Sequence, residues 1–194
     1  APRERKEGET VKVYVNRMDS IITQLPYDYY HLNFCAPKGG AEEESGNLGQ
    51  ALDGDDIESS VVSFQMRRNE GCKIVCTKEN SAKDAKRFVQ AIRDEYRVHW
   101  IVDNMPVAVR LPMEGPEDDF LYQRGYPVGM IIGSDAFLFN HLSFKLFYHN
   151  DPSYEGSRIV GFEVEPYSVK HEFTDDTKSR LKTCERGMVK PNVA

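Results

Sequence analysis

The chain has 194 residues, 40% of them apolar and 11% aromatic, with 25 Lys and Arg against 31 Asp and Glu and a net charge of −6. That length and apolar content suit one buried core and exclude both wholesale disorder and two full domains. The acidic balance, with no Lys/Arg run longer than two, excludes a nucleic-acid module built on a basic patch, and no window approaches the roughly 20 apolar residues of a membrane span.

The sequence begins at Ala1-Pro2 rather than Met, which suggests a processed or excised segment, and no stretch within it reads as a signal peptide. Val11, Val13 and Val15 alternate with polar neighbours and predict a strand. Residues 27–34 are aromatic-rich and read as extended after the break at Pro26. Residues 37–47, with Gly39, Gly40, Gly46 and the run Glu42, Glu43, Glu44, read as a surface loop. Residues 57–66 predict a strand with Val62, Phe64 and Met66 on one face. A turn at 69–71 and a second strand at 72–77 complete a hairpin that puts Cys72, Ile74 and Cys76 on one side.

Ser81 is placed to cap a helix running to Tyr96, with Ala85, Phe88, Val89, Ile92 and Tyr96 as its apolar stripe. Beyond it, 98–102 and 105–111 flank a turn at Asp103-Asn104, with Asn104 expected to be extended ahead of the proline. Residues 112–125 read as an acidic loop, 128–132 as a short buried strand, and 137–149 as one long alternating strand. In the last strand, 158–169, Ile159, Gly161, Glu163 and Glu165 oppose Val160, Phe162 and Val164. The pattern predicts a mainly β domain: an antiparallel two-layer β-sandwich of jelly-roll type over residues 1–171, with one amphipathic helix around 81–97 and a polar tail over 172–194.

The four cysteines, Cys35, Cys72, Cys76 and Cys184, suit an oxidising compartment better than zinc, which would want a second close pair. On a straight strand Cys72 and Cys76 lie roughly 13 Å apart, too far to bond each other. Spacing leaves the rest of the connectivity open.

No catalytic pattern stands out. His171-Glu172 opens like a zinc-protease helix, but the histidine it needs is Asp175. His141 and His149 share a strand face roughly 27 Å apart and cannot ligate one metal. Asp53, Asp55, Asp56 and Glu58 cluster around Gly54, but their spacing is not that of a helix–loop–helix calcium site. They read as a solvated turn. Tyr27, Tyr29, Tyr30 and Phe34 suit either a sugar or peptide groove or the core. Nothing in the sequence asks for a cofactor or a metal.

Several phrases, in order, carry a resemblance: Leu25-Pro26-Tyr27-Asp28-Tyr29-Tyr30, Phe34-Cys35, Asn47-Leu48-Gly49-Gln50 with Gly54-Asp55, Cys72 to Cys76, Trp100-Ile101-Val102-Asp103-Asn104-Met105-Pro106-Val107, Phe139-Asn140-His141-Leu142, and Arg158-Ile159-Val160-Gly161-Phe162-Glu163-Val164. The chain resembles the lumenal N-terminal domain of the nonaspanins, the transmembrane nine superfamily, also called endomembrane protein 70. The resemblance implies a non-enzymatic domain on the lumenal side of Golgi or endosomal membranes, or at the cell surface. It implies a parent protein with nine spans, absent here, that sorts other membrane proteins, notably those with glycine-rich transmembrane helices, and that serves adhesion and phagocytosis. Its implied partners are its own membrane region and cargo membrane proteins. Nucleic acid is not among them, and this segment is not itself expected to enter the bilayer.

The resemblance also favours a Cys35–Cys76 bridge, leaving Cys72–Cys184 as a second. It directs attention to Tyr27, Tyr29 and Tyr30, and to the turn of Asp53, Asp55 and Asp56, as an interaction surface. The sequence departs from the family at Asp56, where a basic residue is usual, and the family's lumenal domain continues beyond the position of Cys184. The alternative function is a glycan- or lipid-binding jelly roll, which would need a concave pocket lined by exposed Tyr or Trp.

Overall fold

The computed structural model describes residues 3–43, 57–113 and 119–172. The strands, in chain order, are β1 (Glu4–Arg5), β2 (Thr10–Val15), β3 (Glu58–Gln65), β4 (Arg97–Val98), β5 (Trp100–Val102), β6 (Met105–Pro106), β7 (Ala108–Pro112), β8 (Phe120–Arg124), β9 (Tyr126–Pro127), β10 (Gly129–Ile132), β11 (Asp135–Leu138), β12 (His141–His149) and β13 (Ser157–Tyr167). The helix α1 (Ala82–Arg93) falls between β3 and β4, and a single 3-10 turn covers Tyr29–His31. The protein is mainly β with one α-helix among the described residues, as the periodicities predict.

Two larger sheets carry the core. One has the order β3-β2-β5-β6. The other is centred on β13, which pairs with β12 along its length and also with β1 and β7, while β8 pairs with β7. Pairing is antiparallel throughout except where β13 meets β7 in parallel at Glu163 and Ala108. The sheets meet through their aromatic side chains. Phe64 of β3 packs edge-on to Phe144 and Phe162, with ring centroids 5.2 and 5.9 Å away, and Trp100 of β5 stacks on Phe144 at 5.5 Å. Val11, Val13 and Val15 are fully buried in this layer, as period two requires.

Helix α1 begins with a complete capping box. Ser81 Oγ accepts from the Asp84 amide, and the Asp84 carboxylate accepts from the Ser81 amide. The Ser81 hydroxyl also donates to the Asp84 carboxylate at 2.6 Å, and this bond, with the one from the Ser81 amide, holds the carboxyl below the ordinary range. The helix buries Phe88, Ala91 and Ile92 and stops at Arg93, shorter than the expected 81–97. Arg97 and Val98 already belong to β4. Ala85, expected in the stripe, is exposed, and Ala91 takes its share of the core.

Several local expectations are overturned. Residues 68–81 form no strand, so the 57–77 hairpin does not exist. The partner of β3 is β2, distant in sequence, and the alternation at 72–77 joins no sheet. Residues 27–34 are not extended; the 3-10 turn folds Tyr29 into the core. Residues Phe120–Arg124 of the expected acidic loop are β8, in register with β7 through Leu111 and Leu121. Residues 137–149 are split between β11, which forms a hairpin with β10, and β12. β10 itself is only partly buried.

Asn104 is not extended. Asp103 and Asn104 both have positive φ, 48° and 65°, the pair of left-handed residues that a tight two-residue hairpin needs. The residue that precedes Pro106 is Met105, and it is that residue which lies in a strand. In β13 the alternation changes phase at a bulge, where Phe147 faces Gly161 and Tyr148 faces Ile159. Val160 is thereby turned outward, 51% exposed, while Ile159, Phe162 and Val164 are all buried.

Candidate interaction surface

The segment 25–35 leaves the core at the antiparallel bridge between Met18 and Tyr27, whose amides and carbonyls exchange hydrogen bonds of 2.7 and 3.0 Å. Its three tyrosines have three different fates. Tyr27 is exposed and stacks flat on His31, with centroids 4.5 Å apart. Tyr29 is buried, stacked on Phe34 at 4.5 Å and edge-on to Trp100 at 6.3 Å, and burial drives its phenol well above the ordinary range. Tyr30 is half-buried and donates its hydroxyl to the Ser59 carbonyl at 2.6 Å. Burial, and next the charge of Glu58, push it up to about 12.

Cys35 is disulfide-bonded to Cys76, with Cα atoms 6.4 Å apart. The bridge fastens this segment to the irregular stretch before α1. Lys78 Nζ donates to the Phe34 carbonyl at 2.9 Å, and Asn33 donates to Asn80 at 2.9 Å. Cys72 is also disulfide-bonded, and Cys184 lies outside the described residues. Beside the Cys35–Cys76 bridge is an open hollow of about 330 Å³ lined by Tyr30, Leu32, Asn33, Phe34, Glu58 and Lys78. The hydroxyl of Tyr30, one N–H of Lys78 and one of Asn33 are engaged within the protein itself.

Asp53, Asp55 and Asp56 lie outside the described residues. Trp100 is buried, at 4% exposure. Among the described residues no cluster of three or more His, Cys, Asp or Glu is arranged to hold a metal. Two histidines far apart in sequence do meet, His141 and His171, with ring centroids 5.6 Å apart. His99 is buried, with Nε2 2.9 Å from Asp19 Oδ1.

The surface that sequence reasoning passed over is the loop between the paired residues Met18 and Tyr27. It presents Ile21, Ile22 and Leu25 to solvent at 81, 56 and 57% exposure. The available signal was a group of aliphatic residues that fits neither strand nor helix periodicity.

Residues 26–192 match the family model described as endomembrane protein 70. The chain is 44% identical over 95% of its length to transmembrane 9 superfamily member 9 of Arabidopsis thaliana, covering 30% of that protein. It is 35% identical over 91% of its length to the Dictyostelium discoideum protein named "Putative phagocytic receptor 1a", covering 29%. It is 32% identical over 89% of its length to human transmembrane 9 superfamily member 4, again covering 29%. The chain thus spans under a third of the length of these relatives. No solved structure matches it.

Proposed function

Since the chain belongs to the endomembrane protein 70 family, we propose that it is the lumenal domain of a multispanning Golgi or endosomal membrane protein that sorts other membrane proteins and takes part in adhesion and phagocytosis. The domain is non-enzymatic in this reading. It caps the membrane portion and meets cargo with its loops. The glycine-rich transmembrane helices of cargo are recognised by the spans.

The observation that carries this reading is the burial of Trp100 and Tyr29. Both are aromatic residues of the family-like segments and lie in the core, where a glycan- or lipid-binding jelly roll would spend them on a concave wall. What remains outside is a set of loops around a filled body. The name of the Dictyostelium relative supports the phagocytic part, and no helix among the described residues is long and apolar enough to cross a membrane.

The test compares three forms in cells: the full-length protein, its spans without this domain, and this domain anchored by an unrelated span. Each is crosslinked to reporters with a glycine-rich or a leucine-rich transmembrane helix. The reading expects the first two forms to capture the glycine-rich reporter over the leucine-rich one and the anchored domain to show no preference between them. Equal capture of both reporters by the full-length protein overturns it.

A further inference from the structure

We propose that the loop between Met18 and Tyr27 is a lipid-contacting tip that rests in the surface of a bilayer without spanning it. The argument begins with how the loop is tied down. Ser20 Oγ accepts from the amides of Ile22 and Thr23, at 3.1 and 3.2 Å, and itself donates to the Asp94 carbonyl. The Gln24 amide donates to the Ser20 carbonyl at 2.9 Å. Tyr96, buried at the end of α1, donates its hydroxyl to the Leu25 carbonyl at 2.8 Å and lies 2.8 Å from Thr23 Oγ1. Thr23 Oγ1 in turn accepts from the Leu25 amide at 3.3 Å. These backbone groups are satisfied from within, so they demand no water when the tip is covered.

The side chains face the other way. Ile21, Ile22 and Leu25 are all more than half exposed on or beside a turn, which suits a soft apolar medium better than a rigid partner with a pocket for each. The stacked pair of Tyr27 and His31 follows at the shoulder, where an interfacial aromatic belongs. At the base of the loop, flanking the Met18–Tyr27 bridge, Arg17 Nε and Asp28 Oδ1 form an exposed ion pair at 3.3 Å. Aliphatic tip, aromatic shoulder and charged base follow the polarity gradient of a bilayer surface.

A lipid surface is at hand because the chain belongs to a family whose members are transmembrane proteins. The inference rests on that membership alone and not on cargo sorting. It revises the expectation that this segment avoids the bilayer, which considered only spans. Three aliphatic side chains give an affinity on the order of a single acyl anchor at most. The tip therefore acts on a domain already tethered beside the membrane, where effective concentration compensates for weak binding.

The test holds this chain at the surface of neutral phosphatidylcholine vesicles through a C-terminal His tag on nickel-chelating lipid. Trp100 is the chain's single tryptophan and is buried, so a second one introduced by Ile22→Trp reports on the tip. The expected result is a blue shift of the added emission and its quenching by lipids brominated on their acyl chains. Without the tether, Ile21→Ser and Ile22→Ser each lower the vesicle partition coefficient about tenfold, with thermal midpoints unchanged because both side chains are exposed. If the added indole of the tethered Ile22→Trp protein stays unquenched, the proposal is overturned. A concentration-dependent dimer that Ile21→Ser abolishes overturns it too, assigning the tip to a second copy. Cargo capture by the full-length protein has a separate readout, so either result stands without the other.

Discussion

Arg5 and Asp103, 98 residues apart, close the N-terminal strand onto the β5–β6 turn through a bidentate pair, with Nη2–Oδ1 at 2.5 Å and Nε–Oδ2 at 2.8 Å. Arg5 is nearly inaccessible and also reaches Glu9 Oε1 at 2.9 Å. The hydrogen bond to Asp103 raises the guanidinium pKa further despite burial. Both bonds are charge-assisted and planar, the geometry in which arginine is not replaceable by lysine.

Asp103→Asn keeps a residue that tolerates the left-handed turn but removes the charge facing Arg5. It is expected to cost about 2 to 3 kcal/mol, since a buried cation loses its main partner while Glu9 still offsets part of the loss. Urea denaturation with an unchanged m-value measures this, and a change under 0.5 kcal/mol, roughly that of an exposed pair, contradicts the assignment.

Gly125 and Gly133 separate two costs of the same backbone conformation. Both have positive φ, 69° and 62°, but a Cβ at Gly125 would lie 2.7 Å from the Val98 carbonyl oxygen and 2.8 Å from the His99 ring, whereas at Gly133 it meets open space. Gly133→Ala is expected to cost about 1 kcal/mol from φ alone. Gly125→Ala is expected to cost about 3 kcal/mol or more, because the carbonyl cannot move without breaking the pairing around β4. Equal thermal midpoints for the two variants would refute the steric argument.

The Cys35–Cys76 bridge joins residues 41 apart, and opening it by Cys35→Ser with Cys76→Ser is expected to cost about 4 kcal/mol in the chain-entropy account. For the second bridge we propose Cys72–Cys184. Trypsin cuts at Lys38, Lys73, Lys78 and Lys182, which puts the four cysteines on four separate peptides. Mass spectrometry of an unreduced digest therefore reads the pairing directly, and any Cys35–Cys72 or Cys76–Cys184 peptide as the major species disproves it.

His141 and His171 face each other with Tyr167 beside them. Burial, joined at His171 by the neighbouring His141, lowers both below the ordinary histidine value. The folded pKa is the lower one, so on acidification below about pH 6.5 the unfolded chain takes up protons first. Their contribution is complete above that pH and is lost as the pH falls through the folded values. Between about pH 7 and pH 5, the thermal midpoint of the parent is expected to fall more than that of His141→Gln. Parallel curves for the two proteins would show that the pair does not titrate in this way.

Some of this protein could be read without a fold. The alternation of Val11, Val13 and Val15 requires one buried face. Ser81 and Asp84 define a helix start through bonds within one turn of chain, and the apolar stripe behind them needs only a surface to lie on. The resemblance in residues 25–35 and 100–107 pointed to the family, and with it the Cys35–Cys76 pairing that spacing alone left open. These are local rules, or patterns along the chain, and both survive without coordinates.

Where partners are distant, only the tertiary structure decided. Residues 72–77 alternate like a strand but pair with none: β3, at the end of its sheet, takes β2 as its partner. Residues 120–124 sit next to an acidic stretch yet pair with β7. One extra residue at the β12–β13 bulge sends Val160 outward against its parity, since a single insertion inverts every later side chain. The meeting of His141 with His171 and of Arg5 with Asp103 depends on the same long-range packing. So does the outward turn of Ile21, Ile22 and Leu25, because Tyr96 and Ser20 hold the loop from beneath, and composition cannot say which aliphatic residues a fold leaves uncovered.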